Sequence, residues 1–129
     1  MENFLPPRRV VLRDLEAYRI SFELSNWVWK AVLNWAPLAQ QTVGAQFIRA
    51  VDSVSANIAE GFGRHGKKDK IKFYRIARGS LCEAMDWNEK ALARKLLSVQ
   101  DHQRVAADLQ RLPKSINALI KYTGNALKE

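Results

Sequence analysis

The sequence has 129 residues, of which 47% are hydrophobic and 26% charged, a balance typical of one folded globular domain and not of a disordered polyelectrolyte. Lys and Arg outnumber Asp and Glu by 21 to 13, and the resulting formal net charge of +8 favours polyanionic partners or serves solubility. The N-terminus lacks the apolar run of a secretory leader, and no segment reaches the roughly 20 apolar residues of a membrane span. A single cysteine excludes an internal disulfide. We therefore expect a cytoplasmic protein.

Four helices are predicted in a single domain over residues 1–129, and no segment shows the period-two alternation of a strand. Residues 1–12 are predicted as an extended arm, because Pro6 and Pro7 disfavour helix in the residues before them. Pro37 and the residues up to Gly44 are predicted as a loop. The predicted spans are about 13–35 for helix A, 44–61 for helix B, 68–97 for helix C and 99–127 for helix D.

Local signals mark several of the predicted helix ends. Gly61 and Gly63 suit a left-handed cap after helix B, and Ser98 with Asp101 three residues later resembles a capping box at the start of helix D. Pro113 lies inside helix D and is expected to kink or split it.

Helices B and D each show one apolar stripe at helical spacing, which predicts that each faces a single core. The stripe of helix B consists of Phe47, Val51, Val54, Ile58 and Phe62, and that of helix D includes Val105, Leu109, Leu112, Ile116, Leu119, Ile120 and Leu127.

Helix A has apolar residues on two nearly opposite faces, one of which carries Leu15, Phe22, Trp29 and Leu33. Because each helix of a four-helix monomer has one open side, helix A has more apolar surface than one chain buries. We therefore expect a homo-oligomer, the alternative being cover by residues 36–43 or by the N-terminal arm. The residues expected at the interface between copies are Ile20, Leu24, Trp27 and Trp35.

A basic segment runs from Arg64 to Arg78, with seven lysines and arginines opposed by one acid, Asp69. Cations at a helix N-terminus oppose the helix dipole, so local stability is a poor reason for this cluster. The functional interpretation of this segment is phosphate or nucleic-acid binding. The alternative is a solvated surface loop without a binding role. The predicted contacts are Arg64, Lys67, Lys68, Lys70, Lys72 and Arg75, with Arg78, Arg8 and Arg9 of second rank.

No catalytic or metal-binding constellation is evident, and we expect neither enzymatic activity nor a cofactor. The glycines at 61, 63 and 66 fit parts of two nucleotide-binding motifs, but both motifs need a preceding strand. No Phe or Tyr stands clear as a base-stacking platform, so little sequence readout is expected. The acidic Glu83, Asp86 and Glu89 are expected to face solvent or a neighbour's cations.

Three polar residues lie where packing should be tight, and buried polar groups need partners. We predict that Asn57, Glu60 and Ser80 form a structural network that joins helix B to helix C or to a neighbouring subunit.

Two stretches carry a family resemblance: SVSANIAEGFGR at 53–64 and FYRIARGSLCE at 73–83. Together they resemble the signature of the bacterial four-helix bundle proteins, which include proteins encoded in intervening sequences of large-subunit rRNA genes. The chain is also similar to the accessory variability determinant of diversity-generating retroelements. The resemblance covers residues 47–92 best.

The resemblance implies an all-α, up-and-down four-helix bundle that assembles into a homo-oligomeric ring, with a homopentamer expected. It also implies a basic surface for RNA or DNA and no enzymatic activity. The function expected is therefore non-enzymatic nucleic-acid binding. The alternative is a protein-interaction scaffold or adaptor, for example for a reverse transcriptase.

Overall fold

The structure is a computed structural model that describes residues 9–126. The described part of the chain contains helices and no strand, as predicted. A 3-10 turn at Leu12–Asp14 precedes the first long helix. The four long helices are α1 (Glu16–Leu33), α2 (Ala45–Phe62), α3 (Lys67–Ala93) and α4 (Val99–Ala126).

Consecutive helices pack against each other, and α1 also packs against α4, which closes a four-helix bundle. The predicted stripe of α2 is buried except for the half-buried Phe62, and the α4 stripe is buried from Val105 to Ile116. Within the apolar arc of α3, Asn88 is 1% exposed and donates from Nδ2 to the carbonyl oxygen of His102 at 3.1 Å. This bond ties α3 to the first turn of α4.

The loop predicted from Pro37 to Gly44 is wrong, because the chain is helical there. Pro37–Ala39 form an α-helical turn and Gln40–Gly44 a π-helical turn that continues into α2. Proline is pre-organised for the first helical position, and Ala36 before it is extended, so helix restarts at once. Gln40 Nε2 donates to the carbonyl oxygens of Val32 and Leu33 at 3.1 and 3.0 Å and so caps the end of α1.

The left-handed glycine cap predicted after α2 is also wrong, since Gly63 has φ −78° and no described glycine has a positive φ. Gly61 serves packing instead. A Cβ added at Gly61 would be 2.7 Å from Tyr74 Cε1 and 3.0 Å from the carbonyl oxygen of Lys70. The absence of a side chain therefore lets α2 and α3 approach closely. Burial of Tyr74 at this contact raises the pKa of its hydroxyl to about 12.

The end of α3 comes earlier than the predicted residue 97 and uses a lysine where glycine is usual. Lys95 has φ 60°, its amide donates to the carbonyl oxygen of Leu92, and the amide of Leu96 donates to that of Ala91. This is the Schellman pattern of a helix C-terminus. Because no glycine marks this helix end, it could not be located from the sequence.

The start of α4 agrees with its predicted cap, because the amide of Asp101 donates to Ser98 Oγ at 3.0 Å. The helix is not split at Pro113 but runs unbroken to Ala126. Leu127, the last residue of the predicted stripe, lies outside the described residues.

The face of α1 that was predicted to lie between copies packs against the core of its own chain instead. Ile20 and Leu24, predicted at an interface between copies, are 8% and 1% exposed and lie in the core of their own chain. The interface assignment is therefore wrong for these two residues. Phe22, Trp29 and Leu33, on the apolar face that was not assigned to the interface, are 48%, 53% and 58% exposed. They form an uncovered apolar band, the α1 stripe.

The other two predicted interface residues, Trp27 and Trp35, are half-buried. The guanidinium of Arg104 on α4 lies over the Trp27 ring, 4.9 Å from its centroid. Trp35 lies beside Gly44, where an added Cβ would be 3.5 Å from the ring. Both indole rings therefore make contacts within their own chain.

Candidate nucleic-acid interface

The predicted nucleic-acid contacts lie at one end of the bundle, where α2 ends and α3 begins. Arg64 is in the connection between them, and the first three turns of α3 carry the others. We call this the basic end, defined by Arg64, Lys67, Lys68, Lys70, Lys72 and Arg75. The structure divides these six residues into three groups with different surroundings.

Two of the lysines are engaged with helix C-termini. Lys67 Nζ donates to the carbonyl oxygen of Gly124 on α4 at 3.2 Å, and Lys70 Nζ donates to that of Phe62 at 2.8 Å. A cation at the C-terminal end of a helix satisfies free carbonyls and complements the helix dipole. Burial lowers the pKa of the Lys70 ammonium. Both lysines are therefore helix caps, and their role at the basic end is first of all structural.

Arg64 is held from two sides. Its Nη2 lies 2.8 Å from Glu60 Oε1, and its guanidinium carbon lies 4.7 Å from the centroid of the Phe73 ring. Lys72 Nζ lies 6.0 Å from the same centroid. Phe73 was not predicted as part of this cluster, although its position among the basic residues of α3 was a signal.

Lys68, Lys72 and Arg75 form the third group, and all are exposed on α3. Their spacing of four and three residues places them on one face of the helix. Arg78, of second rank in the prediction, donates from Nη1 to Asn117 Oδ1 at 2.6 Å and is exposed as well. Arg9 is exposed, and Arg8 lies outside the described residues.

The predicted polar network forms between α2 and α3, but with a different membership. Ser53 Oγ and Ser80 Oγ are 2.9 Å apart, and Asn57 Nδ2 donates to Ser53 Oγ at 3.0 Å. Ser53 is the member that the sequence analysis missed, although it lies one helical turn before Asn57. Glu60 pairs instead with Arg64 and is not placed in this network.

The acidic residues of α3 are exposed, as expected, and are engaged locally. Asp86 pairs with Lys90, and Glu89 Oε1 lies 2.8 Å from His102 Nε2. Among the described residues, no group of His, Cys, Asp and Glu is arranged to hold a metal ion. None of the described helices is long and apolar enough to cross a membrane.

A family model for the 23S rRNA-intervening sequence proteins matches residues 13–118, most of the chain. The chain belongs to this family. The match includes all of α1, α2, α3 and the basic end, and most of α4. It confirms the resemblance found in the two sequence stretches.

A solved structure shares the fold of this intervening-sequence family member. It is a protein of unknown function from the S23 ribosomal protein family of Bacteroides thetaiotaomicron, determined at 1.70 Å resolution. The TM-score is 0.72 at 20% identity, and the match covers 81% of this chain and 98% of the other. At this identity the likeness is one of fold. No curated protein sequence matches the chain.

Proposed function

We propose that this member of the 23S rRNA-intervening sequence protein family is a non-enzymatic, homo-oligomeric protein that binds RNA or DNA through its phosphates. The observation that carries the proposal is the exposed row of Lys68, Lys72 and Arg75 on one face of α3. Along a helix this row spans about 10 Å, a scale on which adjacent phosphates are contacted together.

The remaining cations of the basic end support the row in different ways. Lys67 and Lys70 hold the ends of α4 and α2, which keeps the start of α3 fixed in the bundle. Contacts from such a row to phosphates position a protein on nucleic acid but read no sequence. The proposal therefore predicts binding that is strongly salt-dependent and only weakly selective for sequence.

We expect the logarithm of the affinity to fall linearly with the logarithm of salt concentration. The slope is about −0.9 per phosphate on duplex DNA and about −0.7 on single strands, so three or four contacts give a slope of roughly −2 to −4. Fluorescence anisotropy of labelled RNA and DNA oligonucleotides between 50 and 200 mM salt, a range of about fourfold, measures it. Affinity that does not change with salt, or no binding at the lowest salt, would overturn the proposal.

The homo-oligomeric part of the proposal rests on the α1 stripe. Phe22, Trp29 and Leu33 recur at spacings of seven and four along α1 and are about half exposed, and the Tyr18 ring stacks on Phe22 with centroids 5.7 Å apart. This spacing suits a second helix, and an apolar band of this kind is a liability when left in water. We propose that a second copy of the chain covers the stripe, so that the basic ends of several copies act together.

Trp29→Ser combined with Leu33→Ser is expected to convert the oligomer to monomers at micromolar concentration, as measured by sedimentation velocity. Burial of each of these side chains stabilises an interface by about 1.5–3 kcal/mol, so losing two per copy is decisive. Val99→Ser with Tyr122→Ser removes exposed apolar side chains from α4 and is the matched control, expected to leave the mass unchanged. A wild-type chain that is monomeric under these conditions would contradict the proposed assembly. The α1 stripe would then be a surface for a different protein, as in the adaptor alternative.

A further inference from the structure

The cluster around Phe73 has the geometry of a stacking platform. The Arg64 guanidinium carbon lies over the ring, 4.7 Å from its centroid, and the guanidinium pairs with the Glu60 carboxylate at 2.8 Å. Phe73 itself is half-buried, and 43% of the Arg64 side chain remains exposed. A planar guanidinium that covers a ring with one face keeps a second planar face for another partner.

An open cavity of about 460 Å³ adjoins this cluster, and Arg64 and Glu60 are among its lining residues. His65, Gly66 and Asp69 line it as well. Its volume falls in the range of about 300–1,000 Å³ that is usual for small-molecule sites. The carboxylates of Glu60 and Asp69 repel a phosphate, whereas a nucleobase is uncharged and offers N–H donors to carboxylate oxygens. The cavity therefore suits a base better than a phosphate.

The cations that suit phosphates lie outside this cavity. Lys72 is near the edge of the same cluster, 6.0 Å from the Phe73 centroid, and Arg75 follows it on α3. The basic end thus places a base-sized cavity and a guanidinium over an aromatic ring beside the row of cations proposed to bind phosphates. This juxtaposition is what a strand with unpaired bases needs, since the bases of a duplex are already stacked on one another.

Resting on the proposed function, we propose that the nucleic acid this protein selects is single-stranded, with one unpaired base stacked on the Arg64 guanidinium above Phe73 and its flanking phosphates on Lys72 and Arg75. This differs from the expectation that no aromatic residue serves as a stacking platform. Phe73 acts through Arg64, which presents the outer stacking surface.

The test compares single-stranded and duplex oligonucleotides of one sequence and length, with a 2-aminopurine base in the strand as a reporter of stacking. The wild-type protein is expected to bind the single strand at least tenfold more tightly and to change the 2-aminopurine fluorescence. Arg64→Lys keeps the charge and removes the plane, so we expect about tenfold weaker single-strand binding, loss of the fluorescence change and less than a twofold effect on the duplex. Arg49→Lys, the same change on an exposed residue of α2, is the control and should alter neither.

Phe73→Leu gives a second measurement, because it removes the support under the guanidinium while retaining the charge of Arg64. It should weaken single-strand binding in the same selective way, with the fold checked by circular dichroism and thermal unfolding. Equal effects of Arg64→Lys on both ligands, or no effect on either, would overturn the stacking inference and leave the phosphate-binding function intact. A wild-type protein that binds neither oligonucleotide would overturn both.

Discussion

Gly61→Ala is expected to destabilise the protein by about 2 kcal/mol, because the new methyl group would collide with both a ring and the backbone of α3. The nearest atoms are Tyr74 Cε1 at 2.7 Å and the Lys70 carbonyl oxygen at 3.0 Å, and the backbone oxygen has no rotamer to change. The two helices must separate, and overpacking of this kind costs about 1–3 kcal/mol. Urea unfolding at fixed protein concentration measures the change.

Gly79→Ala is the matched control, since Gly79 also lies inside a long helix but has nothing within 4 Å of an added Cβ. Alanine is the better helix former, so this substitution is expected to stabilise the protein by about 0.5–1 kcal/mol. Opposite signs for the two glycines would support the close packing of α2 on α3. A neutral or stabilising Gly61→Ala would show that this contact is looser than described.

Lys72→Glu combined with Arg75→Glu is expected to lower the affinity for nucleic acid by on the order of 100-fold at low salt. The double variant both removes two of the proposed phosphate contacts and adds repulsion at the exposed row of α3. It should also flatten the salt dependence, with a slope smaller by about 2. Fluorescence anisotropy over a salt series measures both effects.

The control for this variant is Lys30→Glu with Arg49→Glu, which changes the net charge by the same amount. Both residues are exposed, on α1 and α2, near the end of the bundle opposite the basic end. We expect a small loss of affinity, the part caused by overall charge alone. Equal losses in the two double variants would mean that the binding surface is not the basic end.

Much of the fold was predictable because α2 and α4 each have one apolar stripe and one polar face. Such a helix has a single way to bury its surface, and the core formed by Phe47, Val54, Leu109 and Ile116 follows from the pattern. The connection at Pro37–Gly44 was not predictable in the same way, since proline reads equally well as a break and as a first helical residue.

Helix α1 shows where the pattern fails. Its buried side contains Ser21 and Ser25, whereas its exposed side carries Phe22, Trp29 and Leu33. Ser21 Oγ donates to the carbonyl oxygen of Ala17 at 2.7 Å, and Ser25 Oγ donates to that of Phe22 at 2.9 Å. A serine that satisfies its hydroxyl on its own helix is small enough for a tight core, so the side of α1 that carries two serines can be the buried one.

The charge pattern of the sequence located the candidate site but did not distinguish the roles of its individual residues. Lys67 reaches a carbonyl 57 residues away in the chain, and this pairing depends on how α4 ends beside α3. The stacked pair of Arg64 and Phe73 likewise exists only once the connection between α2 and α3 has folded. A count of cations in the sequence treats these residues alike. Their surroundings in the structure distinguish the two lysines that cap helices, the arginine over Phe73 and the exposed row.

The exposure of Trp29 makes the chain its own optical reporter. Trp29 is 53% exposed, whereas Trp27, Trp35 and Trp87 are half-buried. Iodide, a quencher that stays in the solvent, should therefore quench the fluorescence of Trp29 more than that of the other three tryptophans. If the proposed second copy covers α1, the emission of Trp29 should become protected from iodide as the concentration of the unlabelled protein rises.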